Sequence, residues 1–337
     1  MPPKRKPIPP KLLGFDIGGT KCAVLLGEIA SGGKGVRILE RRSFPTETRL
    51  GPKHAQGLLF ETGERLLADH GLARGGLGGI GISCGGPLDS RRGLILSPPN
   101  LPGWDRVPIV ALAAKRFRAP VRLENDANAC AVAEWKYGAG RGCRNLVFFT
   151  FGTGLGAGLI LDGRLYSGTN DLAGEAGHLR LADRGPVGFG KAGSFEGFCS
   201  GGGIAQLAAT RRKEWRKAGR KAGLLDALPP SALTAKAVAE AAGKGDPLSR
   251  SILEESGTML GKGLSLVIDL LNPERIVIGS IYARCERFLR PPAMAVIRRE
   301  AIPRAREVCR LVPAALGEQI GDYAALSLAA LAAEGPR

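Results

Sequence analysis

NLVFFTFGTGLGAGLIL, residues 145–161, is an apolar run, a Gly/Thr turn and a second apolar run. LLGFDIGGTKCAVLLGEI, residues 12–29, follows the same plan. Short apolar runs bounded by glycine are strand signals, so each stretch reads as a β-hairpin with a Gly-Thr tip. A plan that occurs twice points to two similar halves.

Outward from the first hairpin, residues 37–44 fit a third strand. Residues 55–70 have helical spacing, with Leu58, Leu59, Leu66 and Leu67 on related faces. GGIGISCGG, residues 78–86, is a buried strand that stops at glycines, and a loop with Pro98, Pro99, Pro102 and Gly103 follows. Residues 108–117 read as helix. PVRLEND, residues 120–126, is a strand that runs into the helix ANACAVAEWKYG. Beyond the second hairpin, 203–222 and 231–271 are mostly helical, PERIVIGS at 273–280 is a buried strand, and 320–333 is an Ala/Leu-rich helix. Strands alternating with helices predict an α/β fold, here as paired lobes with a cleft between them.

The chain has 337 residues, more than one hydrophobic core ordinarily serves. At 44% hydrophobic and 23% charged it has a globular composition. No apolar run is long enough to span a bilayer. The first eleven residues, MPPKRKPIPPK, are basic and Pro-rich without the apolar region of a secretory signal, and read as a disordered tail. Seven scattered Cys with no C-x-x-C pair point to free thiols in a reducing compartment, hence the cytoplasm. The net charge is +17. A basic balance can serve nucleic acid, a membrane surface or an anionic substrate. Arg is spread along the whole chain, and the one dense run, Arg211 to Lys221, lacks interleaved aromatics apart from Trp215. It reads as a solvated helix face, so neither nucleic acid nor membrane is expected as a partner.

Two segments carry a phosphate argument: Asp16-Ile17-Gly18-Gly19-Thr20-Lys21 and Gly152-Thr153-Gly154-Leu155-Gly156. Glycine lets backbone N–H groups approach phosphate oxygens, and Thr adds a hydroxyl donor. Lys21 supplies positive charge. Asp16 would repel a phosphate unless a cation lay between, which implies Mg²⁺, directly or through water. Neither loop is a Walker P-loop, since G-x-x-x-x-G-K-[ST] does not occur.

With these residues in view, the sequence resembles the ROK family of sugar kinases, within the actin-like ATPase superfamily. The motifs that carry the resemblance are DIGGTK at 16–21, NLPGW at 100–104, ENDAN at 124–128, FGTGLG at 151–156, GEAGH at 174–178 and NPERIVIG at 272–279. The resemblance implies two actin-like (ribonuclease H-like) α/β lobes. The small lobe is 12–125, completed by 318–337, and the large lobe is 126–317. It implies a homodimeric hexose kinase, a glucokinase above all, that uses MgATP. Asp126 matches the catalytic base, a role that a carboxylate at a strand-to-helix junction can fill; by residue type alone, Asp126 equally reads as a helix cap. Sugar contacts carry over to Asn100, Asn125, Asp126, Glu175, His178 and Glu196. Adenosine is expected near Gly279.

The sequence departs from the family in one conspicuous place. Relatives hold a structural zinc with the His of G-H and three Cys of C-x-C-G-x-x-G-C-x-E. Here the Cys positions hold Val187, Phe189 and Ser194. One imidazole cannot make a closed four-ligand site, so no structural zinc is expected, and apolar packing of Val187 and Phe189 is expected in its place. The sugar-side turn reads Ser83-Cys84-Gly85-Gly86-Pro87 and lacks a family proline. The adenosine-side turn reads Gly279-Ser280 where relatives have two glycines.

A repressor would carry about 60–80 further residues ahead of the fold, against the eleven that precede Leu12. A sugar-binding protein without catalysis would show damage at Asp126, Asp16 or a Gly-Thr loop, and these are intact. Kinases for fructose, mannose, allose or an N-acetylhexosamine stay open beside glucose.

Overall fold

The computed structural model describes residues 10–30, 35–221 and 223–335. The tail expected over 1–11 lies outside the described residues up to position 9. Lys11, however, opens the first strand and pairs with Glu28 on its neighbour. The chain forms two compact units. One takes the chain up to Arg141, Ser167–Ala173 and the stretch from Glu318 onward; the other is Gly142–Tyr166 with Gly174–Gly317.

The first unit contains β1 (Lys11–Ile17), β2 (Lys21–Ile29), β3 (Val36–Pro45), α1 (Gly51–Asp69), β4 (Leu77–Cys84), the short β5 (Leu88–Asp89) and β6 (Leu94–Ile95), α2 (Ile109–Phe117), β7 (Val121–Asn125), α3 (Asp126–Tyr137) and the C-terminal helix Ile320–Glu334. Its sheet has the order β3-β2-β1-β4-β7. The β1–β2 and β2–β3 pairs are antiparallel; β1, β4 and β7 are parallel. Strand alternation in β1 splits the core: Leu13, Phe15 and Ile17 face α1 and α2, where Leu59, Leu66 and Phe117 are buried, while Leu12 faces Leu326 and Ala329 of the C-terminal helix. Gly79 and Gly81 of β4 let that helix lie directly on the strand. A Cβ at Gly79 would stand 2.3 Å from the Ala329 carbonyl oxygen, and one at Gly81 2.0 Å from that of Ala325. The same helix packs on α3, so α3 belongs with the first unit and not, as expected, with residues beyond 126.

The second unit contains β8 (Leu146–Phe151), β9 (Leu155–Leu161), β10 (Arg164–Tyr166), the β11 (Val187–Gly188) and β12 (Lys191–Ala192) hairpin, α4 (Phe195–Cys199), α5 (Gly201–Lys217), α6 (Ala235–Gly243), α7 (Pro247–Leu271), β13 (Arg275–Ile278), α8 (Ile281–Glu300), α9 (Pro303–Val308) and β14 (Arg310–Pro313). Its sheet order, β10-β9-β8-β13-β14, repeats that of the first unit: an antiparallel hairpin with a third strand outside it, then two parallel strands. The echo in the sequence is therefore an echo in topology. Among the described residues no helix is long and apolar enough to cross a membrane.

Candidate active site

In both units a Gly-Thr turn leaves the carboxyl end of a strand with a parallel neighbour, the edge at which open α/β sheets present ligand sites. In the first unit, Ile17, Cys84 and Asn125 stand in register across β1, β4 and β7. The Gly18–Lys21 turn and Asp126 therefore emerge side by side. The Gly18 N–H donates to the Lys21 carbonyl at 3.1 Å and closes the turn, leaving Thr20 and Lys21 exposed. A Cβ at Gly19 would come 2.4 Å from the Asn100 carbonyl oxygen, so only glycine lets this turn touch the NLPGW loop. Trp104 is fully buried and anchors that loop, which leaves Asn100 at the surface beside Gly85.

Asn125 and Asp126 divide the work at the start of α3. The helix begins at Asp126, and Asn125 is its cap: the Asn125 Oδ1 accepts the Asn128 N–H at 2.7 Å. Asp126 Oδ1 accepts the adjacent Ala127 N–H, at 2.8 Å. The side chain keeps an open face to solvent while protein crowds its other sides, and this partial desolvation raises the carboxyl above its ordinary value. Asp16 is half-buried. Burial, then Asp126 and Asp322, push it up to about 6, against the pull of Arg41 and Lys21. Asp322, at the start of the C-terminal helix, accepts from the Arg41 Nε at 2.9 Å. Carboxylate oxygens of Asp16 with Asp126 close by are hard donors of the kind that fits a hydrated Mg²⁺. Asp322 carried no signal in the sequence; only the fold brings the C-terminal helix to β1.

The second unit holds a cavity of about 1050 Å³. Gly152, Thr153, Gly201 and Gly202 form one end of it. Ala205, Ala235, Ala239 and Ile281 supply apolar wall, and Lys236, Lys244, Arg284 and Arg287 supply positive charge beside Glu240. The Gly201 and Gly202 N–H groups donate to the Gly152 and Thr153 carbonyls at 2.8 and 3.4 Å, which fixes the Gly-Thr turn on the N-terminus of α5. The partial positive charge of a helix N-terminus suits an anion there. Two expected residues stand elsewhere. Gly154 faces Glu196, and Gly279 is buried with its N–H on the Phe149 carbonyl at 2.9 Å. Ser280 lines the cavity instead, at φ 56°, the left-handed side that favours glycine. The Ser-Gly-Gly-Gly run at 200–203 was the unread signal for the α5 end of the cavity.

Glu175, His178 and Glu196 also lie in the second unit. Glu175 is exposed, and its carbonyl accepts the His178 N–H at 3.0 Å. Glu196 sits in the first turn of α4, and its Oε2 accepts the Leu155 N–H at 3.0 Å. The stretch that would hold zinc in relatives does not fit the metal. Val187 and Phe189 carry no donor, and Ser194 Oγ is buried as the α4 cap, accepting the Gly197 N–H at 3.0 Å. Nor do Val187 and Phe189 replace it by packing, as expected: they are 47% and 72% exposed. Polar ties hold the stretch instead. The Gln206 amide takes both the N–H and the carbonyl of Val187, each at 2.9 Å, and Lys191 Nζ donates to the His178 carbonyl at 2.8 Å.

The ROK family model matches residues 12–332. The chain belongs to the ROK family. Its units are accordingly of the actin-like ATPase kind. Among ROK relatives, the glucokinase of Halalkalibacterium halodurans is 30% identical over 314 residues, which cover 92% of each chain. The crystal structure of a ROK glucokinase from Streptomyces griseus in complex with glucose and AMPPNP is 28% identical, with a TM-score of 0.73 over 95% of this chain and 99% of that one. A ROK transcriptional regulator, a homolog of the E. coli MLC protein, aligns with a TM-score of 0.83 at 25% identity, over 96% of this chain and 78% of that one. ROK likeness thus reaches both sugar kinases and regulators.

Proposed function

We propose that this ROK protein is a hexose kinase that transfers the γ-phosphoryl of MgATP to the 6-hydroxyl of glucose. The observation that carries the reading is Asp126. It stands at the carboxyl edge of the parallel strands, beside Asp16 and the first Gly-Thr turn, and Asn125 relieves it of capping the helix. A carboxylate with an open face can take the proton of an attacking sugar hydroxyl: the O–H bond breaks as the new O–P bond forms, and the bond from the γ-phosphorus to the β–γ bridging oxygen breaks to release ADP. The raised carboxyl makes Asp126 a stronger base than an ordinary aspartate. The reading assigns ATP phosphates to the two Gly-Thr turns and the nucleoside to the cavity in the second unit. It assigns sugar hydroxyls to Asn100, Asn125, Asp126, Glu175, His178 and Glu196. Asp16 would hold Mg²⁺, which would supply neutralisation of the phosphate charge. The reading includes no structural zinc, and a cytoplasmic homodimer on the resemblance alone.

The test is ADP release from MgATP against a panel of hexoses and N-acetylhexosamines. Sugar-dependent release, greatest with glucose, is expected. Release that is greatest with another sugar would move the substrate and keep the class. Sugar binding by calorimetry without release from any sugar would overturn the kinase in favour of a sugar-binding regulator.

A further inference from the structure

The β11–β12 hairpin turns through Phe189 and Gly190, at φ 43° and 76°. Two positive φ values make the type I′ turn, for which Asn-Gly is the favoured pair. Gly190 fits its place. Phe189 does not, because a bulky L-residue is strained in the left-handed region. Burial does not compensate: the ring is 72% exposed. A strained backbone that displays an apolar ring to solvent has no folding rationale, and strain of this kind collects at functional sites.

The ring is not placed at random. It meets the His178 imidazole edge-on, with centroids 5.1 Å apart and planes at 79°. Lys191, on the other strand of the same hairpin, donates to the His178 carbonyl at 2.8 Å. The hairpin thus grips His178 twice, at the ring and at the main chain. At its base it lies on Glu196, where a Cβ at Gly188 would stand 2.8 Å from the Glu196 Cβ. Gln206 holds the hairpin itself through both polar groups of Val187. Where zinc would fix the imidazole in relatives, this chain offers an aromatic ring.

We infer that Phe189 is a sugar-site residue: its ring holds the His178 imidazole in one orientation and presents an apolar face to the C–H groups of a bound hexose. Hexoses are amphipathic, and aromatic walls beside a few placed polar groups are how concave sites hold such ligands. The inference rests on the assignment of the sugar to His178.

Phe189→Asn separates function from folding, since it creates the Asn-Gly pair that the turn favours. The variant is expected to melt about 2 °C higher than the parent. Its KM for sugar should rise about tenfold, or about 1.4 kcal/mol, with kcat and the KM for ATP within about twofold. Phe189→Tyr should restore the sugar KM. An unchanged sugar KM in Phe189→Asn would overturn the inference while leaving the kinase intact. A variant that melts lower and binds sugar more weakly would make Phe189 merely structural, and overturns it too. If the parent turns over no sugar, the kinase reading has failed, and calorimetry with glucose decides the inference alone. Weaker binding by Phe189→Asn than by the parent supports it; equal binding, or none by either, overturns it.

Discussion

Glu196 Oε2 accepts the backbone N–H of Leu155 at 3.0 Å, at the strand that leaves the second Gly-Thr turn. A residue assigned to the sugar therefore also shapes the loop assigned to phosphate. A Cβ at Gly154 would stand 2.9 Å from the same oxygen, so the carboxylate and the loop fit against each other. Glu196→Ala should weaken both ligands, raising the KM for ATP by about tenfold through the freed N–H. Glu196→Gln keeps an acceptor for Leu155 and should hold ATP affinity near that of the parent. Calorimetry with AMPPNP on the two variants checks this, and equal nucleotide affinity in both would disprove the link.

Asp126→Asn removes the base but leaves the helix cap on Asn125 in place. Turnover should fall by about 10² to 10⁴, with sugar affinity retained and the melting temperature nearly unchanged. Steady-state rates with calorimetric sugar binding separate the two effects.

The pH profile should carry the same signature. Protonated Asp126 cannot take a proton, so kcat falls as pH drops through its carboxyl value. Desolvation raises that value, and the acid limb should therefore lie above the ordinary Asp value of about 4. A kcat that stays flat down to that pH would place the base elsewhere.

Gly81→Ala should disrupt the first unit. Its Cβ would meet the Ala325 carbonyl at 2.0 Å and the Ala329 nitrogen at 2.4 Å, both backbone atoms that cannot give way without moving the helix. A loss of about 3 kcal/mol is expected, the upper end for overpacking, read as a lower melting temperature.

Ser280→Gly should do the reverse. Ser280 stands at φ 56° and ψ −114° ahead of α8, a conformation that glycine adopts without strain. The variant should gain about 1 kcal/mol in thermal or urea unfolding. A loss of stability would show that the serine side chain holds the turn.

The repeated hairpins, the α/β alternation and the family motifs were determined by sequence alone, because apolar period, glycine placement and turn chemistry act between near neighbours. Lys11–Ile17 and Leu146–Phe151 needed nothing beyond their own pattern to be read as strands. Helix α8 was not legible, since Pro291 and Pro292 argue locally against any helix. It forms because Leu289 and Ala293 lie on Gly257 and Gly261 of α7, where the missing side chains allow backbone contact. The site divides in the same way. Asp16 and the Gly-Thr turns could be named from their residue pattern, and Asp126 from the resemblance to the ROK family. Tertiary structure decided that Asp322 and Arg41 sit beside Asp16, that Ser280 and not Gly279 lines the cavity, and that Phe189 is exposed against His178. The physical reason is range. Hydrogen-bond partners, burial and crowding come from residues tens to hundreds of positions away, and no local pattern specifies which of them will meet.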